Sequence, residues 1–204
     1  MKNKVESIEG GRFILDVGCG TGEAVISHLK PSQHYLGIDT SRYCLEQAST
    51  RFGAPILEDR ADVDIARQPV LLRFGGLPDA IPFEKESFFD EALASMVLHH
   101  VPDYRPSIES MMGMLQPGGN YFVVTFNSDM RGEIEQGFAK VTQRTKRKTT
   151  GDFDLPSGRL HGETIHFHNN GAVHRELQKY SDFIHAEECA GIFQIFEGIK
   201  KRVA

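Results

Sequence analysis

The sequence predicts one α/β domain spanning residues 1–204, built on a doubly wound and mostly parallel sheet. Short apolar strands alternate with helical patterns, the first strand runs into a glycine-rich turn, and the second strand ends on a carboxylate. A length of 204 residues, with 40% hydrophobic and 25% charged side chains, suits a single hydrophobic core.

Residues 13–17 (FILDV) have no polar side chain before Asp16, as a strand buried on both faces requires, and Gly18-Cys19-Gly20-Thr21-Gly22 ends them. Ala24, Val25, Ile26 and Leu29 supply the apolar face of a helix that Pro31 stops. Residues 35–38 form the second strand, closing at Asp39. Ser41 caps a helix through Ala48 with Tyr43, Cys44, Leu45 and Ala48 on its inner side. Residues 69–74 and 91–96 read as the third and fourth strands. Residues 107–115 read as a helix closed by the turn Gln116-Pro117-Gly118-Gly119, and residues 120–126 as a fifth strand rich in β-branched and aromatic side chains. Beyond Asn127 the rhythm breaks. Residues 128–155 are polar and carry Lys140, Arg144, Lys146, Arg147 and Lys148; residues 164–168 read as a strand, 172–189 as a helix and 192–196 as the last strand.

Several classes are excluded on composition. The longest near-apolar stretch, residues 92–98, falls far short of the ~20 residues of a spanning helix, and residues 1–11 lack an apolar signal core. A soluble cytoplasmic chain is the expectation. Cys19, Cys44 and Cys189 are widely spaced without a CxxC, so no disulfide framework or zinc knuckle is encoded. A net charge of -5 argues against a global phosphate-binding surface and against nucleic acid as partner, although the run from Lys140 to Lys148 leaves room for a local basic patch.

A strand that ends in a glycine turn and opens a helix suits a nucleotide-like ligand, because glycine lets the ligand approach the backbone closely. The spacing Gly18-x-Gly20-x-Gly22 departs from GxGxxG and so disfavours a nicotinamide dinucleotide. Asp39, at the end of the second strand, is placed to accept both hydroxyls of a ribose. A ligand containing adenosine is expected.

These residues resemble a family. Residues 14–22 (ILDVGCGTG) resemble the first motif of class I S-adenosylmethionine-dependent methyltransferases of the small-molecule, type 11 kind, and residues 35–41 (YLGIDTS) resemble the second. Ile81-Pro82-Phe83 with Ser87-Phe88-Phe89-Asp90, Met96-Val97-Leu98-His99-His100-Val101 and Leu115-Gln116-Pro117-Gly118-Gly119 resemble three further family segments in the right order. The resemblance implies a Rossmann-like seven-stranded sheet with an antiparallel final strand. It implies a core over 13–127, a substrate cap or lid at 128–170, and a closing helix and strand at 171–204.

The resemblance also implies roles. S-adenosylmethionine would be the methyl donor, leaving S-adenosylhomocysteine. Gly18, Cys19 and Gly20 would border its methionine part, Asp16 would orient its ammonium, and Asp39 with Thr40 would hold the ribose. Ser95 and Met96 would border the methyl group, and Leu77, Pro78 and Asp79 the adenine, where Leu77 replaces the family's usual acidic residue. His100, helped by His99, is the candidate acid-base or acceptor-orienting residue, since it follows the fourth strand at the sheet edge where ligands of open α/β folds bind. His161, His166 and His168 are candidate substrate contacts. Residues 166 and 168 would share one strand face, which also permits a metal pair, although the resemblance implies no metal. The leading reading is in-line methyl transfer to a small O-, N- or C-acceptor. The alternatives are an RNA or protein methyltransferase docking through the basic run, or a protein that binds S-adenosylmethionine without catalysis. A homodimer is compatible with the sequence and not specified by it.

Overall fold

A computed structural model describes residues 11–58, 68–79, 87–134, 136, 153–155, 158–160 and 166–202. The strands are β1 (Arg12–Val17), β2 (Gln33–Asp39), β3 (Ile56–Leu57), β4 (Val70–Phe74), β5 (Phe89–Ser95), β6 (Leu115–Phe126), β7 (Phe153–Leu155), β8 (Gly158–Leu160), β9 (Ser181–Cys189) and β10 (Phe193–Lys200). The helices α1 (Glu23–Ile26), α2 (Arg42–Phe52), α3 (Arg105–Met114) and α4 (Asn170–Gln178) connect them.

Eight strands form one sheet in the order β3-β4-β2-β1-β5-β6-β10-β9. The pairs from β3 to β6 are parallel, while β10 runs antiparallel to both β6 and β9. The expected reversed final strand is therefore β10. The expected count of seven is exceeded by β3, two residues on the sheet edge. β7 and β8 pair as a separate antiparallel ladder.

Two apolar layers sandwich the sheet. Leu15, Leu36, Ala92, Ala94 and Val123 pack with Ile108, Met111 and Met112 of α3 and Val173 and Leu177 of α4. On the other face Ile14, Tyr35 and Leu72 pack with Leu45 and Ala48 of α2. Alternation within β1 sends Ile14 to one layer and Leu15 to the other.

Five expectations are corrected. The helix after β1 is one turn long, because β-branched Val25 and Ile26 followed by Ser27 and His28 propagate a helix poorly. Tyr43 is 52% exposed, since it lies about 200° around α2 from buried Leu45, which with Ala48 forms the inward stripe. Gln116–Gly119 does not separate helix from strand. It is a bulge inside β6, where the pairing jumps from Phe89↔Leu115 to Glu91↔Asn120. The single helix expected at 172–189 is α4 followed by β9: Ser181 is buried at the helix end, donating to the Leu177 carbonyl at 2.7 Å and lying 2.7 Å from the Tyr121 hydroxyl. Ala190 and Gly191, both with positive φ, then turn β9 back into β10. Of the strand expected at 164–168, residues 166–168 carry no strand pairing and 164–165 lie outside the described residues.

Candidate active site

The carboxyl ends of β1, β2, β4 and β5 meet at a cavity of about 820 Å³. This is where an open parallel sheet leaves room for a ligand. The glycine turn forms one wall. The amides of Gly18 and Cys19 both donate to the Ile38 carbonyl, at 2.8 and 3.0 Å, which ties the turn to the end of β2.

Gly18 and Gly20 have different physical reasons to be glycine. Both have positive φ, 70° and 55°. A Cβ on Gly18 would lie 2.5 Å from Val97 Cβ, so that volume is filled by the protein itself. A Cβ on Gly20 would meet nothing within 4 Å. Both glycines line the cavity, and of the two Gly20 is the one whose missing side chain leaves open space.

Asp39 is held from both sides. The Gly20 amide donates to its Oδ2 at 2.8 Å and the Ser41 amide to its Oδ1 at 2.7 Å. The Gly75 amide donates to the Asp39 carbonyl at 2.9 Å, bringing the end of β4 to the same place.

Asp16 is buried and also lines the cavity. Burial pushes its carboxyl up to about 6, opposed by a hydrogen bond from Tyr35 and reinforced by the charge of Asp39. Burial likewise pushes the Cys19 thiol well above its ordinary value, with the charges of Asp16 and Asp39 adding to the effect, which disfavours the thiolate a nucleophile needs. Thr40, Leu77, Ser95, Met96 and His100 line the same cavity. Met96 has φ 56°, a strained conformation for a non-glycine residue, at the point where the chain leaves β5.

Pro78 and Asp79 are exposed and stand outside the cavity wall. Their place is taken by Gly75 and Gly76, which the sequence reading missed. The signal was available as a glycine pair directly after a strand, the same punctuation that marked the first turn. Ser41 and Val97 were also missed as lining residues.

The histidine pair divides. His100 lines the cavity, whereas His99 is buried against the rings of His100 and Phe126, with centroids 4.1 and 4.6 Å away. Burial, with His100 and His168 nearby, lowers His99 to about 3. A group held neutral so firmly is a poor proton acceptor at neutral pH. The Nδ1 of His99 has no hydrogen-bond partner among the described residues.

His168 Nε2 lies 2.9 Å from the carbonyls of both Leu98 and Val101. Both are acceptors, so that nitrogen carries the proton and is committed to the backbone of the 98–101 turn. The His166 amide donates to the His99 carbonyl at 2.8 Å. The rings of His166 and His168 stack with centroids 6.2 Å apart. No group of three or more His, Cys, Asp or Glu able to hold a metal exists among the described residues. His161 and the run from Lys140 to Lys148 lie outside the described residues.

Comparison with known proteins adds three findings. Residues 15–121 match the family model described as a methyltransferase domain. An uncharacterized methyltransferase of Mycobacterium tuberculosis is 30% identical over 118 residues, 57% of this chain and 52% of the relative. A ubiquinone biosynthesis O-methyltransferase of Nitrosomonas europaea is 29% identical over 135 residues, 65% of this chain and 52% of the relative. The chain thus spans about half the length of the curated relatives it matches. Among solved structures, a SAM-dependent methyltransferase of Methanosarcina mazei superposes with a TM-score of 0.61 at 20% identity, covering 94% of this chain and 93% of that one. The N-methyltransferase NodS of Bradyrhizobium japonicum, solved with S-adenosyl-L-homocysteine, gives 0.59 at 16% identity over 93% and 78%. These likenesses show the fold.

Proposed function

This chain belongs to the methyltransferase domain family, and on that premise we propose that it transfers a methyl group from S-adenosylmethionine to a small-molecule O-, N- or C-acceptor. The observation that carries the reading is the Asp39 clamp beside the open face of Gly20. A carboxylate with both oxygens fixed by backbone amides, next to a glycine whose missing side chain leaves empty space, fits a ribose and the chain attached to it.

The remaining roles follow from position. Asp16 faces the ammonium of the methionine part, Gly75, Gly76 and Leu77 border the adenine, and Ser95 and Met96 border the reacting methyl. S-adenosylmethionine, when bound, supplies a sulfonium methyl for in-line displacement. The protein's part is to align the acceptor with that bond and exclude water, and alignment alone is worth a large share of such a barrier. His100, on the cavity wall after β5, orients the acceptor and takes its proton where the acceptor must lose one. His99 supports the His100 ring. We read residues 13–127 as the cofactor-holding core, 128–170 as the cap over the acceptor, and 171–204 as the segment completing the sheet, in a cytoplasmic protein.

The test is a transfer assay with S-adenosylmethionine labelled in the methyl group and a fractionated small-molecule extract. Label should appear in a low-mass product with stoichiometric S-adenosylhomocysteine. Label appearing only in RNA or protein would refute the small-molecule reading, and saturable binding that never yields S-adenosylhomocysteine would refute catalysis.

A further inference from the structure

Tyr35 sits on β2 next to the strand that carries Asp16, and its side chain is fully buried. Its hydroxyl donates to Asp16 Oδ2 at 2.7 Å. Asp16 borders the cavity and Tyr35 does not, so the phenol supports the carboxylate from beneath the cavity wall. The packing leaves the ring little choice of place. Gly37 pairs in register with Asp16, and a Cβ there would lie 2.9 Å from Tyr35 Cε1 and 2.8 Å from Cys19 Sγ. The Phe52 ring backs Tyr35 with centroids 5.3 Å apart.

The chemistry of the pair is one-directional. Burial and the Asp16 charge push the Tyr35 hydroxyl far above its ordinary value, so it stays protonated and donates. The titratable groups that face Asp16 are Tyr35 and Asp39 from β2 and Cys19 from the glycine turn, while β5 places Leu93 beside it in register. Of these, only Tyr35 favours the ionised carboxylate: Asp39 is a like charge, and Cys19 is held as a neutral thiol.

We infer that Tyr35 is a positioning residue for cofactor binding: its hydroxyl holds one oxygen of Asp16 and keeps the carboxylate anionic and aimed at the cationic amino-acid end of S-adenosylmethionine. The inference rests on the reading that Asp16 faces that ammonium. Such a group, buried under the site and never touching the ligand, acts on the pH dependence of binding rather than on the adenosine contacts.

The experiment is calorimetric titration of S-adenosylmethionine into the wild type, Tyr35→Phe and Asp16→Asn between pH 5.5 and 8, with 5′-methylthioadenosine, which lacks the amino-acid part, as second probe. Losing one hydrogen bond to a charged group should move the acid limb of Tyr35→Phe up by about one pH unit or more, giving roughly tenfold weaker binding near pH 6 that closes to within about twofold at pH 8. Methylthioadenosine should bind Tyr35→Phe as it binds the wild type, and Asp16→Asn should bind S-adenosylmethionine weakly without an acid limb. A Tyr35→Phe profile that superposes on the wild type, while Asp16→Asn is impaired, overturns the role of Tyr35 and leaves the ammonium assignment standing. Unchanged affinity in Asp16→Asn overturns the ammonium assignment and the inference with it. Equal losses of both ligands in Tyr35→Phe at every pH would reduce Tyr35 to a packing residue and overturn the inference.

Discussion

At the scale of single residues, Gly18 and Gly20 show that glycines of one turn can be required for different reasons. Asparagine tolerates positive φ better than other side chains, so placing it at each position separates space from backbone strain. Gly18→Asn must drive Val97 aside, which should cost about 2 kcal/mol or more and lower the melting temperature by roughly 4 to 8 °C. Gly20→Asn should melt within about 2 °C of the wild type, a cost under 1 kcal/mol, yet lose most of its affinity for S-adenosylmethionine. Thermal melts and calorimetry on the pair check this, and equal behaviour of the two variants would contradict the division of labour.

Two buried titratable residues also set opposing pH dependences of stability. His99 binds a proton near 6.5 when unfolded and only near about 3 when folded. Between those values the unfolded chain holds more protons, so this group removes stability as pH falls. Asp16 is the reverse, protonating near about 6 when folded and 3.8 when unfolded, so stability falls as pH rises through that window. Urea unfolding from pH 4.5 to 7 should therefore show a shallower acid loss in His99→Phe and a steeper one in Asp16→Asn than in the wild type. A wild-type slope in His99→Phe would mean that its ring is not held neutral.

At the scale of elements, the parallel half of the sheet was legible because buried parallel strands are short continuous apolar runs and their turns carry glycine and proline. The second half was less so. Residues 181–189 contain Ala186, Glu187 and Glu188, good helix formers, and their strand state comes from the ladder with β10, a tertiary pairing that local propensity does not record. The turn that joins them is Ala190-Gly191 rather than an Asn-Gly or Asp-Gly pair, so the usual hairpin signal is missing. Among the residues that line the cavity, Gly20 and Asp39 were legible from the glycine turn and the strand end it faces, and Asp16, Ser95, Met96 and His100 through the family resemblance, whereas the hold of His168 on Leu98 and Val101 bridges about seventy residues and leaves no mark in spacing. That contact is a clamp on the 98–101 turn. His168→Phe keeps the ring that meets Tyr104 at 4.7 Å but removes the donor. Hydrogen exchange should then accelerate at the His166 amide and across residues 98–101, with a stability loss of about 1 to 2 kcal/mol. Unchanged protection at His166 would show that the clamp is not what seats this segment.

At the scale of the molecule, the sheet order brings β1, β2, β4 and β5 side by side so that residues far apart in sequence face one cavity. The order explains why Asp16, Asp39, Gly75 and Ser95, each at or just beyond a strand's carboxyl end, line one cavity. Among the described residues no helix is long and apolar enough to cross a membrane. The central claim is that this shared edge is an S-adenosylmethionine site anchored by Asp39. Its most direct measurement is calorimetric titration of S-adenosylhomocysteine into the wild type and Asp39→Ala. The account predicts one saturable site in the wild type and an affinity roughly ten- to a hundredfold lower in the variant, the loss expected when a carboxylate accepting two hydroxyls is removed. Equal affinities in the two proteins, or no saturable binding in the wild type, would contradict it.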